Sequence, residues 1–263
     1  MAGTVIGGTT DDDHLPQGHP RVTTPAKHHW ALQGVGLPSP TWDALDAHAR
    51  ATGLSPLPLV QTLPPSAPSA TILVVPSTWQ DELGSALAAG FAYGVSADLP
   101  VSWIDRVRAE ADRSGAVLGW CFTTRQILAH RQTPLLLDRL VAEGVITVEC
   151  RGDVDLLLTE ALANAALHGN LRIAAPNDPY EDALAGRGVG VFASLDGDSL
   201  WWRVWQEGDG SADAIQKLDD LLAGQTPDLE NPGGRGLFII SRLAQAVQFE
   251  DHGRCLAIRT ARR

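Results

Sequence analysis

Three polar side chains recur at four-residue intervals in the run Thr159 to Asn170, whose sequence is TEALANAALHGN. They are Glu160, Asn164 and His168, and in a helix this spacing puts a carboxylate, an amide and an imidazole on one stripe. An amide oxygen suits a hard cation that keeps several of its waters, and a carboxylate can accept a proton from an attacking hydroxyl. The rest of the run is mostly Leu and Ala, so the stripe either meets a polar partner or merely faces water.

A glycine-bearing segment, NPGGRGLFII at 231–240, follows further along the chain. Glycines let backbone N–H groups approach phosphate oxygens closely, and a guanidinium can neutralise phosphate charge in a bidentate manner. The amphipathic pattern LFIISRLAQAV at 237–247 predicts a helix whose first turn would present those N–H groups. A lone glycine triplet is more typical of a tight turn, but the two segments together predict a site for a nucleotide and its metal ion. The candidate residues of this second segment are Gly233, Gly234, Arg235 and Gly236.

Strands and helices alternate in the first part of the chain, from Trp30 onward. Apolar runs predict strands over 30–37, 58–63, 70–76 and 91–97, and amphipathic runs predict helices over 41–53, 78–90 and 101–115. Strict alternation is typical of a parallel sheet with helices on its faces.

The second part of the chain has a different order. The patterns predict a strand over 120–126, a helix over 134–144, a strand or bridge over 146–150, the helix of the polar stripe, strands over 188–195 and 199–206, and a last strand over 255–261. Asp196-Gly197-Asp198 between two alternating runs is a strong hairpin signal. Helices packed on one side of a mixed or antiparallel sheet would make a two-layer α/β sandwich.

Three segments in order, EALANAALHGN, QEGDG at 206–210 and GGRGLFII, carry a resemblance to a known class. They are similar to GHKL-type ATPases, and in particular to the anti-sigma-factor serine/threonine kinases, over about residues 119–263. The resemblance implies a two-layer α/β sandwich of the histidine-kinase-like ATPase type that binds ATP and Mg²⁺. It implies that Asn164 is a ligand of Mg²⁺ and that Glu160 is the general base or orients the attacking group. It also adds Gln206, Gly208 and Gly210 to the nucleotide site, whereas His168 either contacts the nucleotide or has a structural role.

Gln206 departs from the family pattern, in which an Asp accepts a hydrogen bond from the adenine amino group. A Gln oxygen can still accept, but a neutral hydrogen bond contributes about 0.5–1.5 kcal/mol against about 1.5–3 kcal/mol for a charged one. A deficit of ~1 kcal/mol weakens binding about five- to tenfold. We therefore expect the substitution to change affinity and base choice more than the fold.

Residues 71–113 resemble the second half of a response-regulator receiver domain, but without its chemistry. Pro38-Ser39-Pro40 stands where a receiver has its acidic pair, no strand before Ala70 ends in Asp, and no Lys follows the strand at 91–97. A phosphoryl acceptor without those groups could not stabilise the transferring group. The fold prediction is therefore a disordered or extended segment over 1–27, a truncated receiver-like (flavodoxin-like) α/β domain over 28–118, and the ATPase domain over 119–263. Asp11 to Asp13 fit a mobile acidic tail better than a metal site.

Composition excludes several function classes. The net charge of −11 argues against a nucleic-acid partner, since the short Arg259 to Arg263 tail is the one basic run. Three widely spaced cysteines, Cys121, Cys150 and Cys255, predict buried thiols of a reduced, cytoplasmic protein. No run approaches the ~20 apolar residues of a membrane span, and the N-terminus lacks a signal-peptide pattern.

The leading functional hypothesis is an anti-sigma-type kinase that transfers the γ-phosphoryl group of ATP to a serine of a small antagonist protein. In the alternative state of the switch it would sequester a sigma factor, and a homodimer is one expected state because family members commonly dimerise. The main rival is a catalytically inactive pseudokinase that binds a partner protein, which Gln206 and the disabled receiver favour. A weaker third hypothesis is a phosphorelay component that senses another protein. His130 in HRQTPL faintly resembles a phosphoacceptor box, but a solvated His before a Pro-initiated helix fits better.

Overall fold

The computed structural model describes residues 30–64, 70–76, 83–129, 132–173, 182–226 and 235–263. The predictions that lie outside the described residues concern the segment 1–27, Asp11 to Asp13, His130, Gly233 and Gly234.

Nine strands of the described residues form one mixed sheet in the order β2-β1-β3-β4-β5-β6-β7-β9-β8. The strands are β1 Ala31–Gly34, β2 Ser55–Pro56, β3 Thr71–Val75, β4 Tyr93–Ser96, β5 Ala116–Thr123, β6 Gly188–Asp196, β7 Ser199–Gln206, β8 Ala246–Glu250 and β9 Cys255–Ala261. Pairing is parallel from β2 to β5 and antiparallel from β5 to β8. The predicted parallel sheet of the first part and the predicted β6–β7 hairpin are confirmed.

The helices are α1 Ser39–Thr52, α2 Leu83–Ala88, α3 Ser102–Ser114, α4 Thr124–Ala129, α5 Thr133–Ala142, α6 Val148–Asn164, α7 Ala212–Leu222 and α8 Arg235–Leu243. A π-helix, Ala165–Asn170, continues α6, and short 3₁₀ turns lie at Asp182–Gly186 and Asp251–Gly253. α1 ends before Gly53, as predicted from the sequence. In the part of the chain that the structure describes, no helix combines the length and the apolar character needed to cross a bilayer.

The prediction of a strand over 58–63 is wrong. Within that range only Val60 pairs, in an isolated parallel bridge with Val35, and the neighbouring strand is the two-residue β2. The side chain of Gln33 donates from Nε2 to the Pro58 carbonyl at 2.6 Å, so a side chain takes the acceptor that a strand would use. Pro58 itself has no N–H to offer to a ladder.

The prediction of a strand or bridge over 146–150 is also wrong, because α6 begins at Val148. The two β-branched apolar residues of this run have different environments: Ile146 is buried in the core, whereas Val148 is 68% exposed on the helix. Glu149 lies in the first turn, where the helix dipole favours a negative charge. A hydrogen bond to its own backbone N–H, and a second from the Thr147 hydroxyl, lower the pKa of Glu149.

Two predicted boundaries, the ends of β5 and of α8, differ in the structure, and three elements were not predicted. β5 ends at Thr123 rather than residue 126, because Gln126 Oε1 accepts the Thr123 N–H at 2.8 Å and turns the chain into α4. The helix that follows the glycine segment ends at Leu243, and residues 246–250 form β8 against β9. α4, α7 and β8 had no clear signal in the sequence.

Each face of the sheet carries its own apolar core. α2, α5, α6, α7 and α8 cover one face, with Leu137, Leu158 and Ile240 among their buried side chains. α1 and α3 cover the other face, where Trp103 of α3 reaches as far as β6 and β7. Cys121 and Cys255 are buried in this second core, but Cys150 is only half-buried. Burial raises the pKa of the Cys121 thiol well above its ordinary value.

The predicted boundary between residues 118 and 119 lies inside β5, which pairs with β4 on one side and β6 on the other. The sheet is therefore continuous across it, and the division into two domains stays a prediction. The order β2-β1-β3-β4-β5 is that of flavodoxin-like doubly wound sheets. The finer resemblance to a receiver domain also stays a prediction.

Candidate functional site

The predicted polar stripe lies on α6 and the π-helix that continues it. Glu160 and Asn164 are both half-buried near the end of α6. The chain widens into the π-helix at Ala165, and the exposed His168 side chain has its Nδ1 2.9 Å from the Ile173 carbonyl oxygen. Single π-turns inside helices are frequent at functional sites.

The first turn of α8 lies directly against this stripe. A Cβ added to Gly236 would stand 2.9 Å from Glu160 Oε2 and 3.0 Å from both amide atoms of Asn164. The Nδ2 atom of Asn164 is buried and makes no hydrogen bond within the described residues. The sequence expectation that the two distant segments share one cleft is therefore confirmed at Gly236.

A cavity of about 920 Å³ opens between α6, the π-helix, α7, the start of α8, β7 and the turn at 251–254. Its volume lies within the range typical of small-molecule sites. The predicted site residues that line it are Glu160, Asn164, His168, Gln206, Gly210, Arg235 and Gly236. Gly208 does not line it; a Cβ at Gly208 would lie 2.0 Å from the Gly169 carbonyl oxygen, so this glycine sits behind the π-helix.

The lining combines positive charge with apolar surface. Its charged side chains are cationic at Arg172, Lys217, Arg235 and Arg254, and acidic at Glu160, Asp209 and Asp213. Its larger apolar side chains are Leu167, Ile173, Val204, Leu237, Phe249 and Leu256. A cavity with a slight excess of cations, in a chain of net charge −11, suits an anion that also carries a flat apolar ring.

Sequence reasoning missed the pair of Arg172 and Asp209 at the cavity rim. Arg172 is a non-glycine residue at φ 57°, and its guanidinium forms an ion pair with the Asp209 carboxylate. The two residues belong to distant segments, and the pattern of either segment alone contains no signal for the contact.

The loop Gln206–Gly210, which follows β7, is held by the turn at 251–254. The Gln206 N–H donates to the Arg254 carbonyl at 2.9 Å, and Gln206 Nε2 donates to the Gly253 carbonyl at 3.2 Å. The latter bond orients the amide, and the Oε1 atom lies against Gly169 of the π-helix. Gly210 has φ 79°, and a Cβ there would lie 2.1 Å from the His252 carbonyl oxygen.

Asn170 holds the same loop from the other side and is fully buried. Its Oδ1 accepts the N–H groups of Glu207 at 3.0 Å and Gly208 at 2.9 Å. Its Nδ2 donates to Thr124 Oγ1 at 2.8 Å and to the Gly188 carbonyl at 2.9 Å. The side chain thus uses both donors and accepts two bonds, and it joins four segments of the chain.

Residues 130–260 match the family model of the histidine kinase-like ATPase domain. No curated protein shows significant similarity to the chain. Together with the sheet, its helices and the cavity, this match supports a histidine kinase-like ATPase domain over these residues, and the predicted ATPase class and its α/β sandwich fold are confirmed. The anti-sigma kinase subfamily stays a prediction.

The side chains at the cavity fit ATP with Mg²⁺, the ligands that this domain class implies. Asn164 has a buried Nδ2 atom without a partner, a donor that suits a phosphate oxygen, and its amide oxygen is a suitable ligand for a hard cation. Gly236 presents backbone at the start of α8, where N–H groups and the helix dipole favour phosphate. Gln206 supplies a polar group on the far side of the lining, among apolar neighbours such as Val204 and Leu256.

Proposed function

We propose that this protein binds ATP with Mg²⁺ in the 920 Å³ cavity and transfers the γ-phosphoryl group to a serine of a small antagonist protein, as an anti-sigma-type regulator. The observation that carries the proposal is the meeting of Glu160, Asn164 and the first turn of α8 at one edge of a cavity whose lining also includes Lys217 and Arg235. A sigma factor or its antagonist is the proposed partner, and the cytoplasm is the proposed compartment.

The chemistry follows from the positions of the side chains. Asn164 Oδ1 would hold Mg²⁺, which when bound neutralises charge on the phosphates. Glu160, one helical turn away, is placed to take the proton of the serine hydroxyl as its oxygen bonds to phosphorus and ADP leaves. Arg235 and Lys217 stabilise negative charge along the cavity wall.

At the end of the cavity proposed for the adenine base, Gln206 would accept a hydrogen bond from the adenine amino group through Oε1. The fixed orientation of its amide, which Gly253 provides, reduces the entropy lost on binding. The apolar side chains of Val204, Ile173 and Leu256 flank this end and would contact the ring.

Thermal denaturation with ADP, ATP and GTP, each with and without Mg²⁺, tests the binding step. A nucleotide at a hundred times its Kd should stabilise the fold by about 2.7 kcal/mol. Asn164→Ala should remove the effect of Mg²⁺, while Thr159→Ala, at an exposed position on the same helix, should behave like the wild type. Transfer of labelled phosphate to an antagonist protein, and its loss in Glu160→Gln, tests the kinase step. Absence of both binding and transfer overturns the proposal.

A second candidate function is a protein-binding module whose nucleotide is structural. The neutral Gln206 in place of an acid favours it, because a neutral acceptor holds adenine less tightly. Nucleotide binding without transfer to any antagonist would support this second candidate. Gln206→Asp, which restores the charged acceptor, should then tighten ADP binding about five- to tenfold.

A further inference from the structure

Trp103, in the first turn of α3, packs on the first residues of β6 from the face opposite the cavity. A Cβ at Gly188 would lie 2.2 Å from Trp103 Cε2, and one at Gly190 would lie 2.9 Å from Trp103 Cζ3. Trp103 is itself only 4% exposed. The indole therefore occupies the space that side chains at these two strand positions would otherwise fill.

Gly188 also holds the Gln206–Gly210 loop, at the end of the cavity that we propose for the adenine base. Its carbonyl accepts the Glu207 N–H at 3.1 Å and Asn170 Nδ2 at 2.9 Å. Its own N–H donates to Glu207 Oε2 at 2.6 Å. A displacement of Gly188 would therefore also displace Glu207, the residue that follows Gln206.

Arg106, one turn after Trp103, makes a second contact with the same region. Its guanidinium carbon lies 4.2 Å from the centre of the Trp205 ring and 5.4 Å from that of Trp103. Trp205 is buried and directly precedes Gln206 in β7. A cation over an aromatic face is attracted to it, and more strongly where water is excluded.

We propose that Trp103 and Arg106 are positioning residues of the nucleotide site, although neither is among the described residues that line the cavity. They hold Gly188 and Trp205 so that the Gln206–Gly210 loop keeps the shape that receives the base. The inference rests on the proposed nucleotide binding. The positioning role of Trp103 and Arg106 makes α3, an element of the predicted receiver-like part, a component of the ATPase site. Any partner or signal that displaces α3 therefore changes the affinity for nucleotide.

The test compares Arg106→Ala with Arg108→Ala, which removes another arginine of the same helix. Arg108 donates to the Thr52 carbonyl at 2.7 Å on the side of α1, away from β6 and β7. The full chain is used, and three quantities are measured: the Kd for ADP with Mg²⁺, the melting temperature, and amide hydrogen exchange at Glu207 and Gly208 without ligand. Arg106→Lys, which keeps a cation for the Trp205 ring, is the conservative variant.

We expect Arg106→Ala to weaken ADP binding about tenfold and to speed exchange at Glu207 and Gly208, and Arg106→Lys to recover most of both. Arg108→Ala should leave the Kd and these two amides unchanged even if it lowers the melting temperature equally. Equal effects of the two alanine variants on the Kd, or no effect of Arg106→Ala, would overturn the inference. If the wild type binds no nucleotide, the proposed function fails. The exchange of the two amides then still decides whether α3 holds the loop.

Discussion

Gly169 lies so close under the side chain of Gln206 that a Cβ at position 169 would fall 1.5 Å from Gln206 Oε1. The π-helix and the loop after β7 therefore meet through a glycine and an amide, and the amide is fixed on its other side by the Gly253 carbonyl. This contact fixes the position of the amide that we propose as the acceptor for the adenine base.

Gly169→Ala should displace the Gln206 amide and weaken ADP binding at least tenfold, because the new methyl group takes the place of Oε1. Isothermal calorimetry with ADP and Mg²⁺ measures the effect. Gly152→Ala is the matched control: Gly152 lies in α6 with open space around its Cβ position, so this change should leave binding alone. It should also stabilise the helix by up to about 1 kcal/mol. Unchanged ADP affinity in Gly169→Ala would contradict the proposed position of the base.

Asn170→Ala should lower the free energy of unfolding by roughly 1–3 kcal/mol, because it leaves the buried Gly208 N–H without its acceptor. The Glu207 N–H loses one of its two acceptors and keeps the Gly188 carbonyl. Urea denaturation measures this loss. Asn170→Asp keeps an acceptor oxygen for the Glu207 and Gly208 N–H groups but loses the donors to Thr124 and Gly188. The two amides should therefore stay better protected from exchange than in Asn170→Ala. Hydrogen exchange at Glu207 and Gly208 separates the two variants, and equally fast exchange in both would count against the described geometry.

Gly210→Ala should cost more stability than Gly224→Ala. Both glycines have positive φ, 79° and 93°, so each substitution carries the left-handed penalty of about 1–2 kcal/mol. Only Gly210 has backbone in the way, since its Cβ would lie 2.1 Å from the His252 carbonyl oxygen while Gly224 has open space. Melting temperatures of the two variants should differ clearly, and Gly210→Ala alone should reduce nucleotide binding. Equal losses would show that the steric contact is unimportant.

Glu110→Gln should flatten the pH dependence of stability. Burial raises the pKa of Glu110 above its ordinary value, and the positive charge of Arg113 offsets part of this rise. A carboxyl whose pKa is raised by folding contributes stability that is complete below its unfolded pKa and is lost as the pH rises through the folded pKa. The melting temperature of Glu110→Gln relative to the wild type should therefore increase from pH 4 upward. A constant difference between the two proteins over pH 4–8 would contradict the shift.

The sequence was sufficient for the features that depend on local pattern. The four-residue spacing of Glu160 and Asn164 predicted both the helix and the shared stripe, because side chains one turn apart in a helix share a face. Gly53 marked the end of α1, and Gly197 marked the hairpin between β6 and β7, because short-range signals of this kind act within a few residues. The order of the three motifs also indicated the ATPase class.

The tertiary structure alone decided how the loop Gln206–Gly210 is held. Asn170 looked like the end of a polar helix, yet it is the buried centre of four hydrogen bonds to segments far along the chain. Trp103 lies in a helix predicted for the first part of the chain, and it packs on the strand that carries Gly188 in the second part. The period of apolar residues indicates which side of a helix or strand is buried, but not which other element packs on that side. That choice depends on contacts between residues far apart in the sequence, and these form only when β5 joins the parallel and antiparallel parts into one sheet.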